Sequence, residues 1–208
     1  MIAIDSPSLT TRVVTARLTL RPPRSSDVAE LRQLQRANLE HLRPWEPSGA
    51  PGEDPASLTA VTNRVMRQRR DWKRGDAYTL LLTLRAPGEP IIGRINLGGV
   101  LRGALQSAYV GYWIDRDHQK KGLMSEGVTG ALAFAFGVAK LHRIQIAIMP
   151  KNGSSLRVME KLGIRREGLA ERYLQIAGSW EDHVIFAMTS DEWEERDGEL
   201  QRGPGAKK

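Results

Sequence analysis

Gln119-Lys120-Lys121-Gly122-Leu123-Met124 is followed at once by Ser125 to Val138, a run with helical spacing. Ala108 to Ile114 before it reads as a strand, and so does Arg143 to Met149 after it, where Ile144, Ile146 and Ile148 alternate. A strand–helix–strand connection of this length joins parallel neighbours, so this part of the sheet is parallel. The turn presents unpaired backbone N–H groups and the positive end of a helix dipole, and the two lysines add charge of the same sign. That combination suits a phosphate or pyrophosphate group, although an ordinary solvated turn has the same composition. A Walker A loop is excluded because no Gly-Lys pair occurs, and the three spaced glycines of a dinucleotide fingerprint are missing.

On the N-terminal side, Ala16-Arg17-Leu18-Thr19-Leu20-Arg21 alternates as a first strand that Pro22 and Pro23 end. Asp27 with Glu30 forms a capping box for a helix that buries Val28, Leu31 and Leu34. Pro44 to Gly52 is rich in proline and glycine and reads as a loop. A second helix starts near Ser57, with Leu58, Val61, Val65 and Trp72 as its buried stripe. Tyr78 to Leu84 and Ile91 to Leu97 form a hairpin across Arg85 to Pro90, and Ala108 to Ile114 continues the meander. Downstream, a short helix from Ser154 to Leu162 follows Asn152 and stops at Gly163. Gly168 to Ile176 and Trp180 to Met188 then pair around Ala177-Gly178-Ser179. The expected fold class is α/β, a mixed α+β sheet of about seven strands with four or five helices. Its ligand site is expected where the connections diverge, at Gly122.

The 208 residues suit one domain, here taken as 1–195 with a flexible tail over 196–208. No apolar run has the length of a membrane span, and Met1 to Asp5 lacks a signal-peptide pattern. With no cysteine there is no thiolate nucleophile and no sulfur ligand, which fits a reducing cytoplasm. His41, His118, His142 and His183 have no metal-ligand spacing, so no metal is expected. The net charge of +7 (31 basic minus 24 acidic) is concentrated in Arg64, Arg67, Arg69, Arg70, Lys73 and Arg74. Such a run is either a solvated helix face or an electrostatic footprint for an acidic partner. No aromatic residues interleave with it as a single-strand nucleic-acid platform requires.

The element order and Gln119-x-x-Gly122-x-Met124 resemble the GNAT superfamily of acetyl-CoA-dependent N-acetyltransferases. Three blocks are similar to its ribosomal-protein-alanine branch, the RimJ/RimL type. They are Ala16 to Pro22; Leu42-Arg43-Pro44-Trp45-Glu46-Pro47; and the stretch from His142-Arg143-Ile144 through Met149-Pro150, Asn152, Ser155, Leu162-Gly163-Ile164 and Glu167-Gly168 to Trp180-x-Asp182-His183. Met124 departs from the small residue that the wider superfamily carries there. The resemblance implies a V-shaped opening between the fourth and fifth strands that holds acetyl-CoA. Its pantetheine arm would pair with the backbone of Tyr112, Trp113 and Ile114. Its pyrophosphate would lie against Gln119, Lys120, Lys121, Gly122, Leu123, Met124 and Ser125. Asn152, Ser154 and Ser155 complete the implied coenzyme set.

Acetyl transfer needs a neutral amine, a polarised thioester carbonyl and a proton for the leaving thiolate. An α-amine is roughly a quarter neutral at pH 7.5 and a lysine only about 0.1%, a difference of about 3 kcal/mol before any base acts. A backbone N–H of the fourth strand suits the oxyanion. Ser155 is the candidate acid, although Ser154 or Ser155 would equally cap the helix. Glu46, Glu167 and Tyr173 are further candidate catalytic groups. Trp45, Glu46, Asn96 and Asp182 are candidate acceptor-binding residues. The branch carries a base carboxylate in the last hairpin where this chain has Leu174, so the base stays open. The implied activity is transfer of acetyl to a protein N-terminus, such as that of a ribosomal protein, by a monomer or homodimer. Acetylation of a small-molecule amine or antibiotic, or a catalytically silent nucleic-acid-binding role, are the alternatives.

Overall fold

The structure is a computed structural model that describes residues 7–47 and 54–202, with side chains through 196. Eight strands form one sheet in the order β1-β2-β3-β4-β5-β6-β8-β7. They are β1 (Val13–Val14), β2 (Leu18–Arg21), β3 (Tyr78–Leu84), β4 (Ile91–Leu101), β5 (Ser107–Ile114), β6 (Arg143–Ile148), β7 (Arg165–Ile176) and β8 (Ser179–Thr189). The helices are α1 (Val28–Leu42), α2 (Leu58–Arg74), α3 (Leu123–Ala133), α4 (Gly153–Lys161) and α5 (Ser190–Arg202). The mixed class and the element order match expectation, with the two-residue β1 as the added strand. Only β5 and β6 pair in parallel, across the connection that contains α3.

Strand alternation divides the sheet into two faces. Leu82 and Ile95 point at α3, whose Gly127 lets the helix approach closely: a Cβ there would lie 3.1 Å from Leu82 and 3.4 Å from Ile95. Gly130 meets Leu20 in the same way. A five-residue π turn, Phe134–Val138, continues α3. Phe134 is fully buried there between Trp72 and Tyr78, each with its ring centroid 5.3 Å away. Thr79, Arg94 and Asn96, one residue out of step with that apolar set, share the opposite face with Trp113 and Gly111.

Several local expectations are corrected. The Asp27–Glu30 capping box does not form. Asp27 instead accepts from both Nη atoms of Arg21 (2.7 and 3.0 Å) and from the Arg24 amide, and Glu30 accepts from the Ile91 amide. In α1 the buried residues are Gln35, Asn38 and Leu42, whereas Val28, Leu31 and Leu34 are half-buried. In α2, Val61, Val65 and Trp72 are buried as expected, but Leu58 is 56% exposed. Ser57 caps α2 through the Ala60 amide, and Gly163 (φ 57°) ends α4 as expected. Residues 196–202, assigned to the tail, lie within α5, while 203–208 and the loop segment 48–53 are outside the described residues. Replacing Phe134 by alanine removes the centre of the aromatic cluster. The expected cost is about 3–5 kcal/mol of unfolding free energy, to be read from urea denaturation.

Candidate active site

β5 and β6 stay in register over four pairs, from Ser107↔Arg143 to Val110↔Ile146, and then part. Beyond that point β6 continues only with β8 (Ala147↔Ile185, Ile148↔Val184), while β5 keeps β4 on its other side (Ile95↔Tyr112, Arg94↔Trp113, Gly93↔Ile114). The outward edge of Gly111 to Ile114 therefore carries main-chain groups with no strand partner. A cavity of about 310 Å³ opens along it. Tyr112, Trp113, Ile114, Asn152, Ser154 and Ser155 line its walls. Gln119, Lys120, Gly122, Leu123, Met124 and Ser125 close its end.

That end is built to take an anion. Lys120 (φ 58°) and Gly122 (φ 75°) both adopt left-handed conformations, and Gly122 is the N-cap of α3, so the loop turns its amides to the helix start. Arg157 and Lys161 of α4 add cations to the lining, and the Lys161 ammonium lies 3.6 Å from where a Gly122 Cβ would be. The loop is held from behind by buried Asn38, whose amide donates to Asp115 (2.8 Å) while its oxygen accepts from the Arg116 amide (2.9 Å). Gln119 donates to His41 Nε2 at 2.7 Å. Burial pushes the Asp115 carboxyl up, but the bonds from Asn38 and His118 outweigh it and hold the group below its ordinary value. Glu126 is similarly held low against burial by Thr15 and Arg17, so it ties the N-terminal strand region to α3.

A second cavity, of about 780 Å³, adjoins the first and shares Trp45, Tyr112, Trp113, Asn152 and Ser155 with it. Asn152 caps α4: its Oδ1 accepts from the Ser155 amide (3.2 Å) and the Ser154 hydroxyl (2.9 Å). Neither serine is the cap, and the Ser155 hydroxyl has no hydrogen-bond partner among the described residues. The Tyr112 hydroxyl donates to the Ser155 carbonyl at 3.4 Å, and burial raises its pKa to about 12. Tyr173, Leu174 and His183 also line the second cavity. The His183 Nδ1–H donates to the Glu181 carbonyl (2.9 Å), which leaves Nε2 as the unprotonated nitrogen of the neutral ring. His183 is only 3% exposed, and its ring centroid is 5.7 Å from that of Tyr173. Glu46 lies 3.4 Å from Arg94, whose guanidinium sits over the Trp113 ring.

A family model described as the acetyltransferase (GNAT) domain matches residues 17–165. The chain belongs to the GNAT acetyltransferase family. This GNAT chain is 34% identical over 183 residues to the [ribosomal protein uS5]-alanine N-acetyltransferase of Escherichia coli (strain K12), covering 88% of the chain and 92% of that protein. A Mycobacterium smegmatis RimJ structure in complex with CoA-disulfide superposes with a TM-score of 0.78 at 31% identity, covering 84% of this chain and 83% of that one. The ribosomal-protein-S5-alanine acetyltransferase of Vibrio fischeri superposes with a TM-score of 0.80 at 28% identity, covering 88% and 98%.

Within the GNAT chain, three candidate residues stand apart from both cavities. Lys121 turns away, its ammonium donating to the Asp117 carbonyl at 2.8 Å. Glu167 bonds to Arg143 and Arg165, which hold its carboxyl at about 2; an acid so paired is a poor proton acceptor. Asp182 accepts from the Arg172 amide (2.8 Å) at the β7 bulge, so it positions the neighbouring Tyr173 and Leu174. Asn96 and Glu46 do line the second cavity. Sequence reasoning missed His183 as a site residue, along with Arg157 and Lys161. Helical spacing places Ser154, Arg157 and Lys161 on one face of α4, which was the available signal. Glu167→Gln is expected to leave acetyl transfer intact while lowering stability at neutral pH. Because the folded pKa lies below the unfolded one, the wild-type advantage is present above about pH 4. It should fade as pH falls toward 2, as followed by denaturant unfolding at stepped pH.

Proposed function

We propose that this protein transfers acetyl from acetyl-CoA to the N-terminal α-amine of a protein, by direct attack within a ternary complex. The observation that carries this is the meeting of two cavities at Ser155 and Trp113, one ending in an anion-binding turn and the other open to an acceptor. The first suits a long thioester cosubstrate: an unpaired strand edge for an amide-bearing arm, and amides with cations for a pyrophosphate. Residues 1–195 would act as one catalytic domain. With no cysteine in the chain, no thiolate is available for a covalent acetyl-enzyme route. The likeness to the uS5-alanine enzymes supports a ribosomal-protein acceptor, which would be met in the cytoplasm.

The residues divide the chemistry among themselves. A main-chain N–H of β5 beyond Val110 offers a donor for the oxyanion as the carbonyl turns tetrahedral. His183 Nε2 takes the proton that the amine loses, directly or through water. The Ser155 hydroxyl supplies a proton to the departing thiolate. Tyr112, protonated at neutral pH, holds the first turn of α4 and hence Ser155. No carboxylate base is needed at Leu174, since an α-amine is already substantially neutral near pH 8.

Purified protein with acetyl-CoA and peptides of varied N-terminus should acetylate the α-amine, with mass spectrometry locating the acetyl group. Acetylation of free lysine or polyamines but of no peptide would refute the acceptor assignment. Ser155→Ala and His183→Asn should each lower kcat on the order of a hundredfold with smaller changes in KM. Full activity in a folded His183→Asn protein would remove that residue from the mechanism.

A further inference from the structure

The arginine-rich stretch of α2 has a definite place. Arg64, Arg67, Gln68 and Asp71, spaced at i, i+3, i+4 and i+7, form one helix face, and all four line the acceptor cavity. Of the other basic residues in the run, Arg69 donates to the Pro23 carbonyl (2.9 Å) and Arg74 pairs with Asp76 (2.8 Å), while Arg70 and Lys73 are exposed and lie outside the cavity lining. The basic residues of the helix therefore face different surroundings. Its charge is divided, and part of it is delivered to the site.

Opposite this helix face, Arg94 rises from β4. Its side chain is 25% exposed, and among the described residues its ion-pair partner is Glu46, at 3.4 Å. Asp71, the other carboxylate of the cavity wall, is 4.0 Å from the Arg70 guanidinium. Arg64 is tethered to Gln35 and to the Pro55 carbonyl. Arg67 has no hydrogen-bond or ion-pair partner among the described residues. Burial pulls Arg64 and Arg94 below the ordinary guanidinium range, and Arg67 lowers both further. Three cations, Arg64, Arg67 and Arg94, thus stand close enough to repel one another in a cavity whose described lining carries two carboxylates, Glu46 and Asp71. A bound anion would relieve that repulsion and replace water lost by the buried guanidinium groups.

We propose that the acceptor cavity recognises a carboxylate carried by the acceptor, namely an Asp or Glu side chain within the first few residues of the N-terminus being acetylated, with Arg67 and Arg94 as its binding residues. This rests on the acetyl-transfer assignment and specifies its substrate class. The cavity volume of about 780 Å³ suits several residues of an extended peptide better than a single free amino acid. Polycationic small amines are disfavoured by the same arginines.

The test uses peptides that share one N-terminal residue and differ only in Glu, Gln or Lys at the second to fourth positions. Calorimetric titration in the presence of CoA reads binding without turnover, and kcat/KM with acetyl-CoA reads transfer. The Glu peptides should bind and react roughly tenfold better than the Gln peptides, and the Lys peptides worse than both. Arg67→Gln should collapse the Glu-to-Gln ratio through KM, and Arg67→Glu should invert it toward Lys. Arg70→Gln, outside the cavity, should leave the ratio as in the wild type. Equal binding and transfer of Glu and Gln peptides overturns the proposal while the acetyltransferase assignment stands. Preferential binding of Glu peptides with no transfer to any peptide supports the carboxylate site and refutes the reaction. Free glutamate acetylated more efficiently than any peptide, or an RNA oligonucleotide displacing the Glu peptide at lower concentration than the peptide itself, would also overturn it.

Discussion

The separation of β5 from β6 after Val110 and Ile146 is the constraint on which the rest of the molecule depends. A parallel pair satisfies main-chain groups on both strands, and unpaired ones are costly unless water or a ligand takes them. β6 meets its own need by continuing with β8. β5 is left with one satisfied edge and one open edge, and the open edge faces the crossover loop and the start of α4. Both cavities exist because of that split.

The positions of the two cavities follow from the sheet's alternation. One face is apolar and sealed by α3, whose Gly127 and Gly130 permit close packing. The other presents Thr79, Arg94, Asn96 and Trp113 and is roofed by the polar face of α2. A single row of residues out of step with the core thus becomes a wall of the second cavity, at no loss to the packing of Leu80, Leu82, Ile95 and Leu97. The glycine turn is separately braced by Asn38, which reaches from α1 to hold the Asp115 carboxylate and the Arg116 amide.

Most of the strands, the two long helices and the glycine turn were legible because each is a local matter. Alternation marks a strand, a 3.6 period marks a helix, and a glycine before a helical run marks an N-terminus open to anions. Asp27 misled because the same spacing that makes a capping box also lets an aspartate turn back to Arg21, and a buried guanidinium is the stronger partner. Leu58 misled because helical spacing puts it in line with Val61 and Val65, whereas in the first turn of α2 it is left exposed. Glu167 and Asp182 sit in family-like blocks, yet Arg143, Arg165 and the bulge amide of Arg172 come from elements whose registry the sequence does not display.

The sequence alone determined the mixed α/β class, the parallel crossover around Gly122 and the glycine turn that opens α3, because these rest on local pattern. Only the tertiary structure decided which carboxylates are tied up in ion pairs, that Asn152 rather than a serine caps α4, and that His183 lines the second cavity. It also decided that Arg64 and Arg67 of a basic helix line the second cavity. Apart from the Asn152 cap, which is local, those outcomes depend on strand register and helix rotation, which bring together residues from separate elements and which no local spacing encodes.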